Sequence, residues 1–149
     1  MTELLPPALA EIVEMFATSP PRDRLELLLE YSTTLPPLPA HIAEHPELLE
    51  PVPECQSPLF VAAEVDDERH VHIHVDAPAE APTTRGFAGI FHAGLDGLTA
   101  DEVLAVPGDV TERMGLAEVI SPLRLRGAAA LLSRVQHQVR AQVGQFSPG

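Results

Sequence analysis

A single cysteine, Cys55, is the residue of this sequence best suited to covalent chemistry. One cysteine cannot form an internal disulfide, and one thiolate is too few for an iron–sulfur cluster or a cysteine-rich zinc site. Cys55 is therefore a buried packing residue, a reactive thiol, or a thiol that meets another protein. Free cysteine is among the residue types most often found buried, so the residue type alone favours the first of these.

The sequence around Cys55 favours presentation of the thiol. Within residues 52–60 a proline lies on each side of the cysteine, and the polar pair Gln56 and Ser57 follows it. Proline fixes φ and limits the shapes that a loop can take, which is useful if the thiol must reach a partner. The neighbouring Glu54 is expected to raise the pKa of the thiol by like-charge repulsion, so activation requires a cation or backbone donors nearby.

Hydrophobic periodicity predicts several helices around one small antiparallel sheet. Residues 59–65 and 71–75 are rich in β-forming side chains and flank a polar stretch, which predicts a hairpin. Helical spacing of apolar residues precedes the hairpin and returns over residues 82–95. The longest helix is predicted to begin at Ser121-Pro122 and to run toward a frayed end at Gly144. This order of elements predicts an α+β domain with a long C-terminal helix, and not an alternating doubly wound one.

Polar residues predict where three of the helices begin. Ser19 is expected to cap the second helix. Thr99 with Glu102 has the pattern of a capping box, and Asp109 with Glu112 offers a similar start to the next helix.

A proline-rich connector separates the first helices from the sheet. Residues 35–53 contain six prolines, which confine regular structure to about one turn near Ile42. The 149 residues are expected to form one domain, with a core over residues 7–143 and a frayed tail over residues 144–149.

Charge and hydropathy exclude two classes of partner. The formal net charge is -13, so a nucleic acid would be repelled over most of the surface. The longest apolar stretches are too short to span a membrane, and the amino terminus lacks the basic and apolar regions of a secretory signal. These features predict a cytoplasmic protein whose partner is another protein with a basic entrance. The sequence does not fix the oligomeric state, although we expect a monomer.

The histidines suggest two other kinds of site: a metal site, and a hydrolase site in which a histidine assists Cys55. His70, His72 and His74 alternate on one face of a predicted strand, where they could bind a divalent metal. Neighbours on such a face lie roughly 6.5–7 Å apart, which makes their convergence on one ion awkward, so we expect no metal ligand here.

A cysteine hydrolase is the other alternative. It would use Cys55 as the nucleophile and His41, His45 or His92 as the base. No further motif supports this interpretation, and a metal-binding scaffold would need cysteines that the sequence lacks.

Three segments resemble motifs of the SufE family. The segment at residues 54–60 is similar to the family's Cys-x-Ser motif, which precedes an apolar-aromatic pair at the start of a strand. Arg85-Gly86 resembles the basic-Gly start of a helix. The stretch from Met114-Gly115 to Gly127 resembles the family's segment that leads into the final helix. In the family this helix begins with Ser-Pro-x-Arg-x-x-Gly. The matches are in the family's order and span residues 7–143.

The resemblance implies an α+β fold of the SufE/IscU type and a role in sulfur transfer. In this family one cysteine, here Cys55, accepts persulfide sulfur from a cysteine desulfurase, stimulates that enzyme and passes the sulfur to iron–sulfur cluster assembly. The pyridoxal phosphate belongs to the desulfurase, so no cofactor is expected on this chain. The implied partners are a SufS-like desulfurase and a SufB-like scaffold, which makes the protein an accessory in transpersulfidation and not an independent enzyme.

The resemblance also implies supporting residues. Arg124 matches the arginine that engages the desulfurase near the transferred sulfur, and Glu80 matches an acidic position near the docking face. Arg85, Gln56 and Ser57 are further candidates within the matched motifs. Glu54 departs from the family, because many members have glycine there, and so does the pair that follows Arg124. An alternative within the same family is a desulfurase-binding adaptor in which Cys55 carries no sulfur.

Overall fold

The computed structural model describes residues 5–55 and 57–146, with the backbone alone for residues 145 and 146. Within these residues seven α-helices surround a three-stranded sheet, which confirms the predicted α+β fold and its long C-terminal helix. The helices and strands are α1 (Pro7–Thr18), α2 (Pro21–Tyr31), α3 (Ala40–Ala43), β1 (Glu50–Pro51), β2 (Phe60–Val65), β3 (Val71–Asp76), α4 (Pro82–Leu95), α5 (Ala100–Leu104), α6 (Val110–Arg113) and α7 (Pro122–Phe146), with short 3₁₀ turns at Pro46–Leu48 and Leu116–Glu118.

The predicted hairpin forms the main part of the sheet. Strands β2 and β3 pair antiparallel, and β1 adds two residues to the other edge of β2. Asp66 shapes the hairpin turn, because its Oδ1 accepts hydrogen bonds from the backbone N–H groups of Glu68 and His70, each at 2.9 Å. Strand β1 was not predicted, since a two-residue strand that contains a proline carries no periodic signal.

Helix α4 lies at the centre of the helical layer and depends on small residues. Two of its glycines face α2, and a Cβ added to Gly89 would lie 2.1 Å from the Tyr31 carbonyl oxygen. A Cβ at Gly86 would lie 2.4 Å from the carbonyl oxygen of Leu28. The backbones of α2 and α4 can therefore approach each other only where α4 lacks side chains.

Side chains of α7 cover the part of β2 that β1 leaves open. Gln138 Oε1 accepts a hydrogen bond from the Ala63 N–H at 2.7 Å, and Gln142 Oε1 accepts one from the Val65 N–H at 2.9 Å. Gln142 Nε2 donates to the Ala63 carbonyl at 2.7 Å. An unpaired strand edge is a template for aggregation, and here the two amide side chains occupy it in place of a neighbouring strand.

The structure changes three predicted helix ends. The capping box of Thr99 and Glu102 is confirmed at α5. Ser19 does not cap α2, because its hydroxyl donates to the Met15 carbonyl at 2.7 Å and closes α1, while Pro20 holds the N-cap position. Asp109 gives no side-chain cap to α6, since its carboxylate accepts a hydrogen bond from Arg113 at 3.0 Å. Helix α7 continues past Gly144 to its end at Phe146.

The close contact between α2 and α4 predicts an unequal effect of two glycine substitutions. Gly89→Ala should lower the free energy of unfolding by about 2–3 kcal/mol, because the new methyl group meets a backbone carbonyl that cannot rotate away. Urea unfolding followed by circular dichroism measures this change. Gly144→Ala is the matched control, because nothing lies within 4 Å of its added Cβ. Equal stabilities of the two variants would contradict the packing described.

Candidate functional site

Cys55 lies in a turn that packs against α7. Its N–H donates to the Val52 carbonyl at 3.1 Å, and its side chain is partly buried at the edge of the hydrophobic core. A Cβ added to Gly127 would lie 2.8 Å from Cys55 Sγ and 3.3 Å from its Cα. The thiol therefore occupies space that any other residue at position 127 would fill.

The thiol borders a cavity of about 250 Å³ between α4 and α7. The predicted site residues Ser57, Glu80 and Arg124 line the same cavity, so the fold brings four of the seven candidates together. The remaining wall belongs to α4 and the residue before it: Ala81, Pro82, Thr83, Thr84 and Phe87.

The first turn of α4 faces this cavity, a feature that the sequence analysis did not use. Ala81 holds the N-cap position and offers no side-chain acceptor, while Pro82 has no N–H. The N–H groups of Thr83 and Thr84 belong to the first turn, where amides have no partner within the helix. The positive end of a helix dipole favours a thiolate or persulfide anion at such a position.

Arg124 is placed by the start of α7. The Ser121 hydroxyl accepts a hydrogen bond from the Arg124 backbone N–H at 3.3 Å, as an N-cap residue does. The Arg124 side chain is exposed at the rim of the cavity, and its Nη1 lies 3.4 Å from the Thr83 hydroxyl. A cation at this rim could stabilise an anionic sulfur in the cavity.

Arg134, which the sequence analysis missed, ties the cysteine loop to α7. Its Nη2 donates to both carboxylate oxygens of Glu54 at 3.1 Å, and its Nη1 donates to Glu50 Oε2 at 2.6 Å. Gln138 Nε2 donates to the other oxygen of Glu50 at 2.8 Å. The residue before Cys55 is thus held by a cation on the same helix that supplies Gly127.

Burial and charge keep the Cys55 thiol protonated. Partial burial raises the pKa of Cys55, and the negative charge of Glu54 raises it further, as the sequence predicted. Glu54 stays ionised, because its own backbone N–H and the Arg134 guanidinium lower its pKa. The free protein therefore holds Cys55 as a neutral thiol at pH 7.

Among the described residues, two predicted site residues, Arg85 and Glu54, do not line the cavity. Arg85 Nη1 donates to the Ala77 carbonyl at 2.7 Å, and its Nε donates to the Ser32 carbonyl at 3.3 Å. These bonds join α4 to the end of β3 and to α2, away from Cys55. Gln56 lies outside the described residues.

The bases considered for a hydrolase lie elsewhere. His41 pairs with Glu64 at 2.8 Å and His45 with Glu47 at 3.1 Å. His92 lies 3.8 Å from Asp96. None of the three lines the cavity beside Cys55, so the described residues do not form a Cys–His pair.

The glycine of the segment before α7 has a local role. Gly115 ends α6 with φ +74°, a left-handed conformation that favours glycine. A Cβ there would lie 2.6 Å from Arg24 Nη1, and that guanidinium donates to the Gly115 carbonyl at 3.0 Å. The Met114-Gly115-Leu116 segment thus turns the chain toward Ser121 and α7.

Comparisons with known proteins point to one family. The family model described as "SufE: Fe-S metabolism associated domain" matches residues 10–139. An uncharacterised SufE-like protein of Mycobacterium tuberculosis is 54% identical over 136 residues, which cover 91% of this chain and 94% of that protein. The SufE-like protein 1 of Arabidopsis thaliana, chloroplastic/mitochondrial, is 32% identical over 90% of this chain and 35% of its own length.

A solved structure shares the fold. The solution structure of a hypothetical protein from Thermus thermophilus has a TM-score of 0.84 and 40% sequence identity. The match covers 95% of this chain and 99% of that chain. Among the described residues, no helix combines the length and the apolar character that crossing a bilayer requires.

The raised pKa of Cys55 predicts the pH dependence of its alkylation. The thiolate is the species that reacts, so the rate with iodoacetamide should rise with pH and reach its midpoint above that of an ordinary cysteine. The same protein unfolded in urea is the control, because unfolding removes both the burial and the fixed position of Glu54. A midpoint in the native protein at or below that of the unfolded chain would contradict the assignment.

The contact at residue 127 predicts a change in thiol exposure. Gly127→Ala should displace the Cys55 side chain toward solvent and raise its alkylation rate at pH 7 several-fold, because reduced burial lowers the pKa of the thiol and opens it to the reagent. Gly144→Ala on the same helix is the control and should leave the rate unchanged. Identical rates for both variants would show that Cys55 does not rest against residue 127.

Proposed function

The chain belongs to the SufE family of Fe–S metabolism associated domains, and from this membership we propose that it is a sulfur acceptor whose Cys55 receives persulfide sulfur from a cysteine desulfurase. The observation that carries the proposal is the cavity that the single cysteine shares with Arg124, Glu80 and the first turn of α4. A thiol, a cation and helix amides in one open cavity suit the binding of an anionic sulfur species.

The proposed transfer is a thiol exchange at sulfur. The Cys55 thiolate attacks the terminal sulfur of the persulfide on the desulfurase, and a new S–S bond forms on Cys55. The S–S bond of the donor breaks, and the donor cysteine leaves as a thiolate. Because one S–S bond forms as another breaks, the exchange needs no oxidant or reductant. The proton lost from Cys55 balances the one taken up by the departing thiolate.

Docking is proposed to activate the thiol. In the free protein burial and the charge of Glu54 raise the pKa of Cys55, which keeps the thiol from reacting before docking. Withdrawal of the thiol from Gly127 would reduce its burial and let it reach into the partner's site. The loop would remain tied to α7 through Glu54 and Arg134, or release that bond to extend further.

A desulfurase-binding adaptor is the second candidate function. The specific observation in its favour is that Cys55 is partly buried with a raised pKa, as an inert packing cysteine would be. The adaptor would stimulate the desulfurase through the same surface without forming a persulfide. Measurement of sulfur on Cys55 separates the two functions.

The partners and the location are proposed on the same basis. A SufB-like scaffold would receive the sulfur, and the pyridoxal phosphate would belong to the desulfurase alone. A formal net charge of -13 suits a partner whose site is surrounded by basic residues. We propose a cytoplasmic location and a monomeric state for the free protein.

Intact mass spectrometry tests the sulfur transfer. The protein is mixed with the cysteine desulfurase of its own genome, pyridoxal phosphate and L-cysteine. The wild type should gain about one sulfur atom, which a reductant removes, and Cys55→Ser should gain none. If the wild type stimulates the desulfurase but gains no sulfur, the adaptor is the correct function.

Substitution of Arg124 tests its role at the cavity. Arg124→Gln should slow the gain of sulfur by about tenfold or more, the effect of losing a hydrogen bond to a charged group. Arg126→Gln is the matched control, because Arg126 is exposed on the same helix and does not line the cavity. Equal rates for the two variants would remove Arg124 from the proposed site.

A further inference from the structure

We propose that His41, Glu64 and His74 form a binding site for a divalent transition-metal ion such as Zn²⁺. The Nε2 atoms of both histidines lie 2.8 Å from the same carboxylate oxygen, Glu64 Oε1. The two rings are 5.7 Å apart between centroids and meet edge to face at 89°. One ligand atom from each residue lies within 4.8 Å of the other two.

The spacing of these atoms is close to that of a zinc site. Zinc–nitrogen and zinc–oxygen bonds of about 2.0–2.2 Å in a tetrahedron place neighbouring ligand atoms about 3.3–3.5 Å apart. Each histidine nitrogen therefore needs to move about 0.5–0.7 Å away from the carboxylate oxygen. The two nitrogens, which lie within 4.8 Å of each other, need to reach the same spacing. Coordination through Nε2 requires the ring tautomer that carries its hydrogen on Nδ1, which leaves the Nε2 lone pair free for the metal.

The kinds of ligand select the kind of metal. Two imidazoles and one carboxylate suit zinc, copper or nickel, whereas calcium and magnesium prefer oxygen ligands throughout. The His41 side chain is 57% exposed, so an ion can reach the site from solvent. The His74 side chain is only 16% exposed, so its position is fixed by the surrounding protein. The formal net charge of -13 raises the local concentration of cations.

The three ligands come from separate elements. His41 lies on α3 in the proline-rich connector, Glu64 on β2 and His74 on β3. A bound ion would fasten the connector to the hairpin. Of the run His70, His72 and His74, only His74 belongs to this cluster, since His72 Nε2 pairs with Asp66 at 2.9 Å and the backbone of His70 bridges to Thr99.

Zinc titration of the full chain tests the site independently of sulfur transfer. Cys55→Ser serves as the parent, since it removes the thiol as a competing ligand and carries no sulfur in either proposed function. Isothermal titration calorimetry with zinc chloride should show one ion bound per chain. His41→Ala and Glu64→Gln, each added to this parent, should weaken zinc binding by more than about tenfold. Loss of a residue that only hydrogen-bonds to a metal ligand already weakens binding by about tenfold or more, and these variants remove a ligand itself.

His45→Ala in the same parent is the matched control and should bind zinc as the parent does. His45 is an exposed neighbour of His41 that pairs with Glu47 outside the cluster. Circular dichroism checks that each variant is folded, and Glu64→Gln retains the size of the original side chain if His41→Ala does not fold. Absence of zinc binding to the parent, or equal affinity in all four proteins, would overturn the proposal.

Discussion

The Cys55 loop can lie against α7 only because residue 127 has no side chain. A single methyl group there would come within 2.8 Å of the sulfur. The contact places the thiol at the edge of the core and raises its pKa by burial. It also aligns the sulfur with the cavity lined by Arg124 and the first turn of α4. The same packing thus keeps the thiol protonated and points it at the groups that could stabilise its anion.

One face of α7 holds both the loop and the sheet. Arg134, Gln138 and Gln142 follow one another at helical spacing and bind Glu50, Glu54 and the open edge of β2. Arg134 links the sheet to the cysteine loop, because it binds Glu50 of β1 as well as Glu54. The hydrogen bonds to β2 join backbone groups that would otherwise lack partners, whereas the exposed Glu54–Arg134 pair adds little stability. Breaking the Glu54–Arg134 pair would therefore leave the amide side chains on the sheet edge in place.

Local sequence predicted most of the fold and part of the site. Hydrophobic spacing located the hairpin, the central helix and α7, because each has a long periodic pattern. The cysteine motif and the Ser-Pro-x-Arg segment placed Cys55 and Arg124, which share the cavity. Contacts between distant segments leave no local pattern in the sequence. Arg134 occupies a polar position on an amphipathic helix, and nothing near it in the sequence indicates its contact with Glu54. His41 contacts His74 only after the connector folds over β2. Arg85 had the right motif but bonds to backbone carbonyls away from the cavity.

Direct titration of Cys55 in the free and docked states tests the central claim, that docking activates a thiol which the free protein keeps neutral. The protein is labelled with ¹³C at the Cβ of its single cysteine, and the chemical shift is followed against pH by NMR. The partner is a desulfurase whose own catalytic cysteine is replaced by alanine. The account predicts a pKa above the ordinary cysteine range in the free protein and a clearly lower pKa in the complex. An unchanged or higher pKa in the complex would contradict it.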